Sequence, residues 1–162
     1  MYKRTLNDAQ MTARGKNAVA EFLTRKLIVP KIFFDAAWPS KRSSMDVLAV
    51  DRAGAGDVYI AHVTISNKLL ADAVEQLLKS QPGHYKYLAL IAGRGNYRPT
   101  ESSLYSPDGL GRVGVLLVEE LPDSRMIARE IVTAERFRVQ PELIRQLDKF
   151  TARQPADIEV RV

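Results

Sequence analysis

Cysteine is absent from this 162-residue chain, which excludes a disulfide framework, a thiolate nucleophile and any cysteine-ligated zinc or iron–sulfur centre. Histidine occurs only twice, as His62 and His84, and so small a supply gives no support to a Ser/His/Asp hydrolase triad. Long apolar runs are also missing. The longest, residues 87–92 and 113–118, fall far short of the roughly 20 residues that span a bilayer, so no membrane partner is expected. Polar Asn7, Asp8 and Gln10 stand where a signal peptide would need its apolar stretch. The expected location is cytoplasmic. No repeat, low-complexity tract or long linker interrupts the chain.

What is present is an average globular mixture, 46% hydrophobic and 27% charged. The length suits one core, and residues 1–162 are read as a single domain. The net charge of +5 is unevenly placed. Residues 1–42 hold nine Lys or Arg against Asp8, Glu21 and Asp35, whereas the rest of the chain holds 15 against 16 acids. A basic end of this kind attracts phosphate backbones, and it serves equally as a solvated face.

The hydrophobic pattern predicts a helix from Asn7 or Asp8 to about Lys26, with Met11, Gly15, Ala18 and Phe22 along one face. Residues 28–34 are extended but contain Pro30, which suits an edge strand or the lead-in to a sheet. Strands follow at 46–51 and 58–66, joined through a Gly-containing turn as a hairpin. In the second, His62 and Thr64 share a face because side chains alternate along a strand. Residues 69–80 form a helix closed by Pro82-Gly83, and 85–92 a buried strand suited to parallel pairing with an earlier one. A polar loop over 94–111 precedes a strand at 112–119. Residues 126–137 read equally as strand or helix, and 141–151 as a final helix with Pro at its first turn. The fold class is α/β, a mixed central sheet flanked by helices.

A first helix, a hairpin whose leading strand opens on an Asp, a crossover helix and a further strand resemble the α-β-β-β-α-β core of the PD-(D/E)XK, or restriction-endonuclease-like, superfamily. The likeness spans residues 9–92, with C-terminal strands and a helix beyond it. It rests on Glu21 in the first helix, on Met45-Asp46-Val47-Leu48-Ala49-Val50, on Ile60-Ala61-His62-Val63-Thr64-Ile65-Ser66 and on Glu75-Gln76-Leu77. The resemblance implies a divalent-metal site that cuts phosphodiesters, built on Glu21, Asp46 and the positions of His62 and Thr64. Here His62 stands where an acid belongs and Thr64 where a lysine belongs, so the pattern is degenerate. Magnesium prefers oxygen donors, and loss of a charge-stabilising group of the lysine kind costs about a hundred- to a thousandfold in rate.

The expected function is therefore a catalytically degenerate nuclease-like domain, not an enzyme, without a cofactor, that binds DNA or RNA or a protein partner. One alternative is a divergent nuclease, a metal-dependent phosphodiester hydrolase that uses Asp46 as metal ligand with magnesium or manganese, together with Glu21, and Lys68 as a displaced cation. Another is a structural or interaction module, including a homodimer. Each residue also has a plainer reading. Asp46 suits a strand-end carboxylate, Glu21 a solvated helix pair with Arg25, and His62 a hydrogen-bonded interior side chain. His84, beside Pro82-Gly83, reads as turn surface. Lys41, Arg42, Arg94 and Arg98 are the candidate nucleic-acid contacts, with Tyr97 and Tyr105 able to stack on bases or simply to pack. The fragments Gly93-Arg94-Gly95-Asn96 and Gly109-Leu110-Gly111 complete no phosphate-loop motif and read as turns.

Overall fold

A computed structural model of the chain describes residues 7–37, 44–53, 56–65, 74–75, 77–78, 83–92, 104–105, 111–123 and 125–139. Helix α1 covers Asp8–Lys26 and strands follow as β1 (Pro30–Ala37), β2 (Ser44–Asp51), β3 (Val58–Thr64), β4 (Tyr85–Ile91), β5 (Gly114–Glu120) and β6 (Met126–Val132). The strands lie side by side in chain order in one sheet. β1, β2 and β3 form an antiparallel meander, β4 and β5 run parallel to β3, and β6 turns back antiparallel to β5. The predicted hairpin and the predicted parallel pairing of residues 85–92 are both present.

Local chemistry explains where the elements begin. Asn7 caps α1 reciprocally with Gln10: the Gln10 amide donates to Asn7 Oδ1 at 2.8 Å, and the Asn7 amide to Gln10 Oε1 at 3.0 Å. Pro30 starts β1 instead of interrupting it, because the missing N–H is harmless at the first residue of an edge strand. The Asp51 carboxylate accepts from the amides of Val29 and Ala53 at 3.0 and 3.1 Å, tying the α1–β1 connection to the end of β2. Residues 126–132 resolve as strand because their amides and carbonyls complete the open edge of β5. Arg112, expected inside β5, makes isolated bridges to Tyr105 and Glu135, so the strand starts two residues later. Val74, Glu75, Leu77 and Leu78 are helical, as expected of 69–80. The remainder of that segment, Gln76 included, and the helix expected at 141–151 lie outside the described residues.

The sheet is covered on both faces. Toward α1 point Val47, Ala49, Ala61, Val63, Tyr87, Ala89, Ile91 and Leu116, packed against Ala18, Val19 and Leu23. Met11 and Phe22 flank this contact, partly buried, so the apolar stripe is rotated from its predicted centre toward Val19 and Leu23. The opposite face carries Leu48, Ile60, Leu88 and Val115 beneath Val74, Leu77, Leu104 and Phe137. Burial on both faces makes β4 almost continuously apolar.

Two polar side chains lie inside the second layer. His84 is 3% exposed, which corrects its assignment to turn surface. Its Nδ1 accepts the Val58 amide at 2.9 Å while its own amide donates to the Val58 carbonyl, so the ring closes the β3–β4 junction. Acceptance at Nδ1 requires a neutral ring, and burial holds His84 below its ordinary pKa. Lys86, 5% exposed, donates from Nζ to the Leu77 carbonyl at 2.5 Å and lies 4.5 Å from the centre of the Phe137 ring. Burial pushes its ammonium down to about 8.

Two outcomes follow from this packing. A methyl group at Gly114 would stand 2.8 Å from the Ala134 backbone nitrogen and from the Tyr87 ring. Backbone cannot rotate aside, so Gly114→Ala is expected to lower the unfolding free energy by about 1–3 kcal/mol in urea titrations. Lys86 binds its proton more weakly folded than unfolded, so stability should rise as pH increases from about 8 toward 10. Above 10 the raised pKa values of Tyr59 and Tyr87 act in the opposite sense. Denaturant midpoints across this window should show the rise in the native chain and lose it in Lys86→Met.

Candidate functional site

The antiparallel β2–β3 ladder ends at the pair Val47–Ala61. One residue further on, Asp46 meets the chain with its side chain: the Val63 amide donates to Oδ2 at 2.7 Å. His62 Nδ1 lies 3.1 Å from the same oxygen. A carboxylate can only accept, so Nδ1 carries the proton in this contact. Asp46 thus serves as both the end of a strand and the anchor of the neighbouring histidine.

Helix α1 brings a third group. Lys16 follows Gly15, where the helix touches the sheet so closely that an added Cβ would stand 2.9 Å from Ile91 Cδ1 and 3.0 Å from Val63 Cγ1. From that position Lys16 Nζ reaches Asp35 Oδ1 at 2.7 Å and Asp46 Oδ1 at 3.7 Å. Asp35 occupies β1 with φ 49°, a left-handed conformation that Asp tolerates better than most residues. The cluster therefore collects residues from α1, β1, β2 and β3. It sits where the parallel strands β3 and β4 end, the edge of an α/β sheet at which binding sites commonly form.

Burial alone would raise the Asp46 pKa, but the His62 hydrogen bond, the Val63 amide and the positive charges of His62 and Lys16 together hold it below its ordinary value of 3.8. Its two carboxylate oxygens are divided between these donors. Oδ2 faces Val63 and His62, and Oδ1 faces the ammonium.

Of the residues expected to form the site, Asp46 and His62 come together. Thr64 lies two residues beyond His62 and pairs with Leu90 in the parallel ladder. Glu21 does not join them. It sits five residues after Lys16, about 140° around the helix and about 7.5 Å along it, and its side chain has no hydrogen-bond or ion-pair partner among the described residues, Arg25 included. Lys68 and the candidate nucleic-acid contacts Lys41, Arg42, Arg94 and Arg98 lie outside the described residues, as does Tyr97. Tyr105 is described. Its ring lies under the Arg112 guanidinium, 5.7 Å from centroid to Cζ. Sequence reading passed over Lys16 and Asp35. Lys16 directly follows the small residue Gly15 in the apolar stripe, but a helix position alone does not say which strand end it will meet.

These donors do not fit magnesium. The ion needs near-octahedral oxygen coordination, whereas here a protonated imidazole nitrogen and an ammonium crowd the Asp46 carboxylate. Among the described residues no set of three or more ligating side chains converges on one point.

No protein-family model matches the chain, and no curated protein matches it. A solved structure of a protein of unknown function from Silicibacter pomeroyi is similar with a TM-score of 0.57 and 17% sequence identity, over 90% of this chain and 84% of that one. At that identity the likeness shows the fold: α/β, with a six-stranded mixed sheet and a helix packed on it. Among the described residues no helix is long and apolar enough to cross a membrane.

The carboxylate's surroundings make the site's titration measurable. The Asp46 carboxyl resonance should titrate below 3.8, with its midpoint raised in His62→Ala and raised less in Lys16→Met. Because the folded pKa is depressed, the stabilisation is complete above the unfolded value and disappears as pH falls through the folded one. Acid unfolding of His62→Ala should accordingly begin at higher pH than in the native chain.

Proposed function

We propose that this chain is a nuclease-like domain that binds nucleic acid without cutting it. The observation that carries the reading is the Asp46 cluster: the acid near the start of β2 is held by an imidazole, a backbone amide and an ammonium from its own chain. Phosphodiester hydrolysis of the metal-dependent kind needs a cation that bridges a carboxylate and the phosphate, together with a group to stabilise the developing charge. His62 and Thr64 supply neither. The element order from α1 through β4 supports the nuclease-like part of the reading, because helix, meander, the helical residues 74–75 and 77–78 and a parallel strand follow one another in that order.

Binding is supported by charge. The excess of Lys and Arg is concentrated in residues 1–42, and Arg14 and Arg25 are exposed on α1. Attraction to phosphates survives the loss of a catalytic centre because it depends on net charge and shape rather than on any one geometry.

The test is binding of the purified protein to short single- and double-stranded DNA and RNA over a salt series, with magnesium and manganese in parallel. Binding at low salt is expected, with no cleavage. Each neutralised phosphate should contribute about 0.7–0.9 to the slope of log affinity against log salt. Undetectable binding at low salt would remove the proposal and leave a structural or interaction module. Cleavage that disappears in Asp46→Ala would instead establish a divergent nuclease.

A further inference from the structure

We infer that His84 is an acid-sensitive latch, closed while its ring is neutral, that fastens residues 133–139 to the starts of β3 and β4. Its contacts join three separate stretches of chain. Nδ1 accepts the Val58 amide at 2.9 Å, the His84 amide donates to the Val58 carbonyl at 2.9 Å, and the His84 carbonyl accepts the Phe137 amide at 2.7 Å. One residue before Phe137, an Arg136 Nη2 hydrogen bond reaches Asp57 Oδ1 at 2.9 Å, and that same oxygen lies 3.9 Å from His84 Nδ1. The ring therefore stands between the lead-in to β3 and the segment that follows β6.

Protonation reverses the central contact. A neutral ring that accepts at Nδ1 carries its hydrogen on Nε2, whereas an imidazolium carries one on each nitrogen. Nδ1–H would then oppose the Val58 N–H, donor against donor, inside a buried layer where a lost hydrogen bond is costly. Asp57 Oδ1 is placed to accept the new hydrogen, but turning toward it takes that oxygen from Arg136. Both ties on the segment after β6 weaken in one step, and release uncovers Phe137, which packs with Val58 and Ile60. Among the described residues Asp57 and Arg136 are the charged groups that act on the ring, in opposite senses. Lys86 directs its ammonium to the Leu77 carbonyl, and Glu75 on the helical residues of this layer is exposed. Burial holds His84 below its ordinary pKa of 6.5, so the closed latch binds the proton more weakly than the open one. Opening accordingly becomes easier as pH falls below that value.

The latch is independent of nucleic-acid binding, and its test is local. Amide exchange and the His84 ring would be followed by NMR from about pH 7.5 to about pH 5, with protection corrected for the intrinsic pH dependence of exchange. Opening that takes up one proton should lower the protection of the Val58 and Phe137 amides by up to about tenfold for each pH unit below 6.5, while Ala61 and Ala89 in the middle of the sheet keep theirs. The ring should pass from its Nε2–H tautomer to the imidazolium over the same range. His84→Asn, whose Oδ1 accepts the Val58 amide and does not titrate, should show no such loss. Asp57→Asn should move the midpoint of the ring titration to lower pH and Arg136→Gln to higher pH; both side chains are partly exposed, so this pair serves if the asparagine variant at 84 does not fold. Equal loss at Ala61 and Ala89, loss that persists in folded His84→Asn, or ring titration that leaves Val58 and Phe137 protected would overturn the latch.

Discussion

The close approach of α1 to the sheet at Gly15 is the contact on which the rest of the site depends. A helix backbone can come this near only where neither surface carries much side chain. Gly15 and Ala18 face a sheet surface whose central strands present Ala49, Ala61 and Ala89. Gly in a helix interior is unfavourable by about 1 kcal/mol relative to Ala, a penalty offset here by contact with Val63 and Ile91. The consequence lies one residue further on. Lys16, carried at the edge of this contact, is brought within reach of acids on two different strands.

Asp46 links backbone structure to chemistry. Its carboxylate accepts the amide of Val63 just beyond the last pair of the β2–β3 ladder, which satisfies a donor that would otherwise face a partly buried strand end unpaired. The same oxygen fixes the ring of His62. A group that closes a ladder, orients an imidazole and faces an ammonium is already committed to its own chain. On the opposite face of the sheet, His84 and Lys86 show a related economy. His84 Nδ1 and Lys86 Nζ each find a backbone partner, Val58 and Leu77, and so hold a junction between elements.

Much of the architecture was legible along the chain because local patterns carry it. The Asn7 cap, the alternation in β3 and the hairpin of β2 and β3 each depend on residues close in sequence, and each appears where expected; the stripe of α1 appears too, turned toward Val19 and Leu23. Segment 126–132 was ambiguous because its identity is settled by a neighbour: β5 offers an open edge, and pairing there makes a strand of residues whose own pattern fits either state. His84 was misread for a similar reason. Beside Pro82 and Gly83 it looks like turn surface, yet its ring is enclosed by β3 and by the Phe137 segment, whose amide donates to the His84 carbonyl at 2.7 Å.

Sequence by itself determined the α/β class, a first helix followed by the hairpin strands and the buried strand at 85–92, the absence of thiol chemistry and the pairing of Asp46's strand with the strand that carries His62. These are consequences of periodicity, turn chemistry and residue supply, which act over a few neighbouring positions. Tertiary structure decided which side chains complete the cluster. Lys16 and Asp35 are 19 residues apart and meet because a helix crosses the sheet at one angle and depth. Glu21, on the same helix, turns elsewhere because five residues rotate it away from that face. The reach of a charged group across a packed interface depends on how closely two elements approach, and only the assembled fold sets that distance.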